Sequence, residues 1–310
     1  MKRTLLSAVL LGAIVLACSS ALLAKSNYWV QVTFLKGDVT ARIGADQSRE
    51  NLRLGMILHQ GDKILVPEGA MVSMLMSDGS ILVLRPGPEF VLEPQKKAKG
   101  PSLQKVAENL SATLLDNEGN NPMLKHLTGL RATETNLVVA PNRTKVRAGH
   151  VTLIWNARPG TTRYAITVMG PGETMFEAFS GECRLDLPAQ KMAPSATYYW
   201  EVRDAEAKDT IVPLGSGSFS TVAKASEDKV GALEASIRAE IQSAADLDPS
   251  TPYFLLYQIY RQHGLSLDAL LSLEKMISAA PQDASLQRWR SELCQEMELQ
   301  NSDIPKLILY

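Results

Sequence analysis

Residues able to do chemistry are sparse in this sequence, and their spacing does not gather them into sets. The four histidines, His59, His126, His150 and His263, are scattered, with no His-x-x-x-His or Cys-x-x-Cys pair of the kind that holds a metal. Cys183 has Glu182 and Arg184 beside it and no nearby histidine to take its proton, so it reads as a small, semi-buried residue. Cys294 falls on an expected helix and reads the same way. The two lie in different expected domains, which argues against a disulfide. Gly215-Ser216-Gly217 lacks the spacing of a nucleophile elbow and reads as a flexible turn before a strand. Gly170-Pro171-Gly172-Glu173 lacks the Gly-Lys-Ser/Thr ending and the helix of a phosphate loop, and reads as a hairpin tip. The expectation is a protein that is not an enzyme, with no catalytic residue, no cofactor and no metal ligand.

The positive signal is for binding. Tyr253, Tyr257 and Tyr260 fall at i, i+4 and i+7, one stripe of a helix. Two readings stay open: the stripe lines a groove for a partner peptide or helix, or it packs as core between paired helices. Lys96, Lys97 and Lys99 read as a solvated linker rather than a site for an acidic partner.

The elements that would carry these residues follow from periodicity. Val30, Val32 and Phe34 alternate, Lys36-Gly37-Asp38 turns, and Val39, Ala41 and Ile43 alternate again, which predicts an opening hairpin. Asp46 to Asn51 is polar and reads as a loop. Val72, Met74 and Met76 share a face, Asp78-Gly79 suits a two-residue turn with positive φ at both positions, and Leu82 and Leu84 resume the pattern. The series Gly37-Asp38-Val39, Leu58-His59-Gln60-Gly61-Asp62-Lys63-Ile64, Gly69-Ala70, Met74 to Ser80 and Leu84-Arg85-Pro86-Gly87 resembles the FecR-type periplasmic domain. That resemblance covers residues 28–94 and implies a small, mostly β domain of the cell envelope. Founding members of that family relay a signal from an outer-membrane transporter to a cytoplasmic sigma factor. This sequence departs from them in showing no anti-sigma segment and no membrane helix between two halves.

Residues 95–135 read as a breaker-rich linker with one helix, capped by Ser102 and marked by Leu103, Val106, Leu110 and Leu114, ending at Asn117 to Pro122. Residues 136–222 return to short strands at close intervals, the pattern of an antiparallel sandwich. Trp155, Tyr164, Leu185, Leu187, Tyr198, Trp200, Val202 and Phe219 resemble a fibronectin type III or related immunoglobulin-like module, in which Trp155 is a core tryptophan and Tyr198 a corner tyrosine. Residues 228–300 read as helices. Within them Tyr260, Gly264, Ala269, Leu273 and Pro281 resemble one tetratricopeptide repeat, whose small residue lets paired helices approach. The fold class expected is multidomain, mainly β and then α.

Residues 1–24 have the anatomy of a secretory leader: Lys2 and Arg3, then an uncharged apolar run, then small residues. Two cleavage readings remain open. Cutting after Ala21 or Ala24 releases a soluble protein. Val15-Leu16-Ala17-Cys18 resembles a bacterial lipobox, in which Cys18 becomes the lipidated first residue. No later segment reaches the ~20 apolar residues of a membrane helix. Without Lys2 and Arg3, 30 of the 32 basic residues face 33 acidic ones, a net charge of −3 that gives nucleic acid no attraction. These readings together anticipate a non-catalytic envelope protein, periplasmic or outer-membrane-associated, acting as an adaptor or scaffold for protein partners. Its only expected membrane contact is a lipid anchor. Two alternatives stand beside it: a sensor or regulator working through the FecR-like domain, and a glycan- or peptidoglycan-binding protein.

Overall fold

The computed structural model describes residues 28–94, 103–116, 137–149, 151–171, 174–188, 192–207, 213–243 and 248–308. The leader with Cys18, the linker segments 95–102 and 117–136, His126, His150, Gly172 and Glu173 lie outside them. The chain is mainly β and then α, in two compact units: described residues 28–77 with 84–94, and 78–83 with 103–308.

The first unit opens with β1 (Trp29–Lys36), β2 (Thr40–Ile43), β3 (Ser48–Asn51), β4 (Ile57–His59), β5 (Lys63–Leu65) and β6 (Met71–Met76), and closes with β8 (Phe90–Val91); of β7 (Ile81–Leu84), which precedes β8 in the chain, only Leu84 belongs to this unit. The opening hairpin expected from alternation does not form. β1 pairs antiparallel with β4 and β6, with Val30 opposite Leu58 and Val32 opposite Met74. β2 pairs instead with β3 and β5. The chain turns a corner between them at Gly37, whose φ is +75° and where an added Cβ would stand 3.0 Å from the Ala70 Cβ. The expected loop at Asp46 to Asn51 contains the strand β3, all four of its residues exposed. A strand held by backbone pairing alone shows no apolar alternation to read. Val30, Val32, Val39, Ala41, Leu58, Ile64, Val72 and Met74 are buried as core. The sharp Gly61-Asp62 turn is held by Asp62, whose buried carboxylate accepts the Gly44 N–H at 3.0 Å and the His59 N–H at 2.8 Å. The later turn also departs from its expected form. β6 and β7 are separated by residues 77–80, and only Gly79 has positive φ, +83°. Asp78 instead accepts from the Ser80 N–H at 2.9 Å, so the side chain rather than its backbone φ shapes the turn.

The second unit contains a sandwich of β9 (Val138–Ala140), β10 (Thr144–Val146), β11 (Val151–Trp155), β12 (Tyr164–Met169), β13 (Thr174–Ser180), β14 (Arg184–Leu187), β15 (Thr197–Asp204) and β16 (Gly215–Thr221). One sheet runs β14-β11-β9 and the other β10-β16-β15-β12-β13. The pairing is antiparallel except for β10 with β16, which is parallel. Leu153, Trp155, Tyr164, Ile166, Val168, Tyr198, Trp200, Val202 and Phe219 fill the space between the sheets. The polar tips of Tyr198 and Trp200 find partners: the Tyr198 hydroxyl accepts the Ala193 N–H at 2.8 Å, and Trp200 Nε1–H donates to the Pro141 carbonyl at 2.9 Å, whereas the buried Trp155 Nε1–H has none among the described residues. Gly215-Ser216-Gly217 is strand rather than the expected flexible turn. An added Cβ at Gly217 would lie 2.8 Å from Val138 and 2.9 Å from Trp200 Nε1, so glycine here makes room for the tryptophan.

Helices complete this unit: α1 (Gln104–Asp116), α2 (Lys224–Ser243), α3 (Thr251–His263), α4 (Ser266–Ala279), α5 (Ala284–Glu296) and, after a 3-10 turn at Asn301–Asp303, the short α6 (Ile304–Ile308). Pro252 sits in the first turn of α3, where its missing N–H costs nothing. Gly264 ends α3 in the left-handed conformation, φ +72°, and turns the chain into α4. Asp283 caps α5 by accepting the Ser285 N–H at 2.8 Å. The sandwich and the helices, expected as separate modules, share specific bonds. Lys145 N–H donates to the Gly264 carbonyl at 3.0 Å, Thr144 Oγ1 accepts from Ser266 N–H at 3.0 Å, and Asn142 Nδ2 donates to the Met297 carbonyl at 3.2 Å. α1, expected inside a linker, joins the helical layer through Asn109 and Gln262, which hydrogen-bond to each other.

Candidate functional site: a groove among three helices

α2, α3 and α4 enclose an open groove of ≈ 750 Å³, reached from the sandwich by Arg147 just after β10. α3 presents Tyr253, Leu256 and Tyr260, three positions that return to one side of a helix turning about 100° per residue. With Ile237, Pro249 and Pro252 they make apolar walls; Arg238 and Asp248 add charge to the lining.

The polar part is built around Glu234. Arg147 binds its carboxylate with both terminal nitrogens, Nη1 at 3.0 Å from Oε2 and Nη2 against Oε1. The Tyr260 hydroxyl donates to Glu234 Oε1 at 2.6 Å, and the Arg147 guanidinium lies 5.6 Å from the centre of the Tyr260 ring. Two-point pairing of this kind orients the carboxylate as well as neutralising it. Burial first, and the bond to Glu234 second, push the Tyr260 hydroxyl far above the usual tyrosine range. Asp268, near the start of α4, lines the same groove; its carboxyl bonds its own backbone N–H and forms no ion pair among the described residues. Burial raises its carboxyl, Arg147 opposes that rise, and the Glu234 charge adds to it. The arrangement can seat an apolar side chain against the walls and a hydrogen-bond donor against Asp268.

The tyrosine stripe read from the sequence divides. Tyr253, 37 % exposed, and Tyr260 line the groove. Tyr257 is 1 % exposed and stacks on Trp289 of α5, ring centres 5.3 Å apart and planes 8° apart. Burial pushes its hydroxyl up to about 12. The division is geometric: Tyr257 sits roughly 40° around the helix from Tyr253, enough to turn it from the groove into the α3–α5 contact. Two of the three tyrosines thus line a groove and the third packs as core between helices. Sequence reasoning missed Arg147, Glu234, Leu256 and Asp268. Leu256, three residues after Tyr253, could have been found from spacing, whereas Arg147 and Glu234 lie 87 residues apart and meet only in the fold.

The remaining chemically versatile residues lie elsewhere. His59 is exposed at the end of β4, and His263 is half-buried at the end of α3. Cys183 and Cys294 are free thiols, and burial pushes the Cys294 thiol up. Among the described residues no three His, Cys, Asp or Glu side chains are grouped to hold a metal ion, and no helix is long and apolar enough to cross a membrane. No protein-family model matches the sequence, and none of the curated proteins compared with it is significantly similar.

Proposed function

We propose that this chain is an exported, non-catalytic adaptor of the bacterial envelope and that the groove lined by Tyr253 and Tyr260 receives a segment of a protein partner. The observation that carries this reading is the half-exposed Tyr253 ring on a ≈ 750 Å³ groove whose walls are apolar and in which Arg147, Glu234 and Tyr260 are bonded to one another. Such a site takes an apolar anchor and one donor rather than a reacting substrate. Three further resemblances support an adaptor assembled from envelope modules. The Gly37 corner and the Asp62 staple put the FecR-like glycines and aspartate to structural use. Two facing sheets with Trp155 in the core and the Tyr198 hydroxyl bonded back to Ala193 suit an immunoglobulin-like module. The buried Ala269 on α4, beside Gly264, suits a tetratricopeptide-like helix pair. Export rests on the leader, and Cys18 is the residue that would tether the protein to a membrane.

The test replaces Tyr253, which is exposed enough to change without unfolding the chain. Partners crosslinked to the wild-type protein in intact cells should be lost with Tyr253→Ala and kept with Tyr253→Phe, the circular dichroism spectrum being unchanged in both. Recovery of the same partners in the same yield with Tyr253→Ala would rule the groove out as the docking site. For the tether, Cys18→Ala should move the protein from the membrane fraction to the soluble one, and unchanged fractionation with no lipid label in the wild type would leave a soluble periplasmic adaptor.

A further inference from the structure

The second unit also holds a smaller cavity, ≈ 430 Å³, and its chemistry is unlike that of the groove. The parallel and antiparallel registers of β10, β16 and β15 place Lys145, Ser220 and Thr197 in one row, with Thr197 and Ser220 hydroxyls 3.0 Å apart. His263, from the end of α3, and Ser226, from the first turn of α2, close the cavity. Lys145 forms no ion pair or side-chain hydrogen bond among the described residues. The His263 ring has no hydrogen-bond partner either, and its Nε2 is shut off from water.

The start of α2 adds donors. Ala223 stands where a capping side chain would, and alanine has none to offer; the first bond into the helix is Glu227 N–H to the Ala223 carbonyl, at 3.0 Å. The N–H groups of Lys224, Ala225 and Ser226 therefore lack an acceptor among the described residues. The acidic residues of that turn are directed elsewhere: Asp228 pairs with Lys224, and Glu227 lies toward Gly149. Burial, and then the charges of Lys229 and Lys145, hold the His263 imidazole below its usual value.

We propose that this cavity binds a phosphoryl group, with Lys145 and the His263 ring as its charged and hydrogen-bonding partners, the hydroxyls of Ser220, Thr197 and Ser226 around it, and the opening N–H groups of α2 as backbone donors. A phosphoryl group matches a cavity that holds many donors and no carboxylate. The phosphate can come from a lipid headgroup or from a soluble ester, and the two are separable.

The test follows the His263 ring by NMR in the full chain while inorganic phosphate replaces chloride at constant ionic strength. Phosphate should move the ring resonance and raise its pKa, because an anion beside the ring favours the imidazolium. Lys145→Gln should weaken binding roughly tenfold or more, the worth of one charge-assisted bond. Ser226→Pro, which removes both the hydroxyl and the N–H yet is tolerated in a first helical turn, should weaken it as well, and more than Ser226→Ala, which removes the hydroxyl alone. Lys275→Glu, on an exposed part of α4, should leave it unchanged. Sedimentation with phosphatidylcholine vesicles containing phosphatidate, if it depends on Lys145, assigns the headgroup; Lys145-dependent binding of free phosphate without vesicle capture assigns a soluble ester. A His263 resonance unmoved by phosphate overturns the proposal. So does equal weakening by Lys145→Gln and Lys275→Glu, which would mean diffuse attraction and no site.

Discussion

Asp62 is 3 % exposed, and its two oxygens take backbone N–H groups from Gly44 and His59, at 3.0 and 2.8 Å. Asp62→Ala leaves both donors buried without an acceptor, and chemical denaturation should show a loss of about 2–3 kcal/mol from the first unit. Asp268 is the opposite case, a carboxyl taken from water with no ion pair and only its own backbone N–H to bond. Burial raises it above its ordinary 3.8, so the folded chain holds the proton more tightly than the unfolded one. The stability that comes from this group is complete below the unfolded value and is lost as pH rises through the folded one. Asp268→Asn should therefore raise Tm at neutral pH and make little difference in acid below that window; a lower Tm at neutral pH would mean that the charge is satisfied after all. Asp62 was legible in the sequence because a Gly-Asp turn has a fixed chemistry. Asp268 was not, because only the packing of α2 and α3 around it sets its burial.

At the scale of elements, strands and helices were readable wherever the side-chain period was clear. β11, β12 and β15 alternate, and α3 and α4 repeat at helical spacing. β3 escaped because it is polar throughout, and the start of β16 because its Gly-Ser-Gly looks like a turn while serving as a close approach to Trp200. Gly217→Ala is expected to cost about 1–3 kcal/mol by overpacking the Trp200 side, measured by thermal melting of the second unit. Tyr198→Phe keeps the ring and its stacking on Phe219 but strands the Ala193 N–H, so a loss of about 1 kcal/mol is expected. A loss of several times that size would mean that the hydroxyl holds the whole 192–197 corner.

For the molecule as a whole, the sandwich and the helices belong to one unit because their contacts involve backbone groups that would otherwise be unpaired. Gly264 and Met297 carbonyls and the Ser266 N–H all find partners on the segment 142–145. Hydrogen exchange should accordingly show β10, α4 and the sandwich strands opening in one cooperative step. Separate exchange of the helices at much lower protection would show that these bonds are fraying contacts rather than a shared core.

What the sequence determined by itself are the local quantities. The period of apolar residues, the turn residues and the helix stops are set by neighbours in the chain, and so the β-then-α order and the buried places of Trp155 and Tyr198 could be read without a fold. What only the tertiary structure decided is which distant segments meet. β1 turns away from β2 to pair with β6, Tyr257 leaves its stripe for Trp289, and Arg147 crosses 87 residues to Glu234. Each depends on the burial gained when elements far apart in sequence close on one another, a term with no local signature.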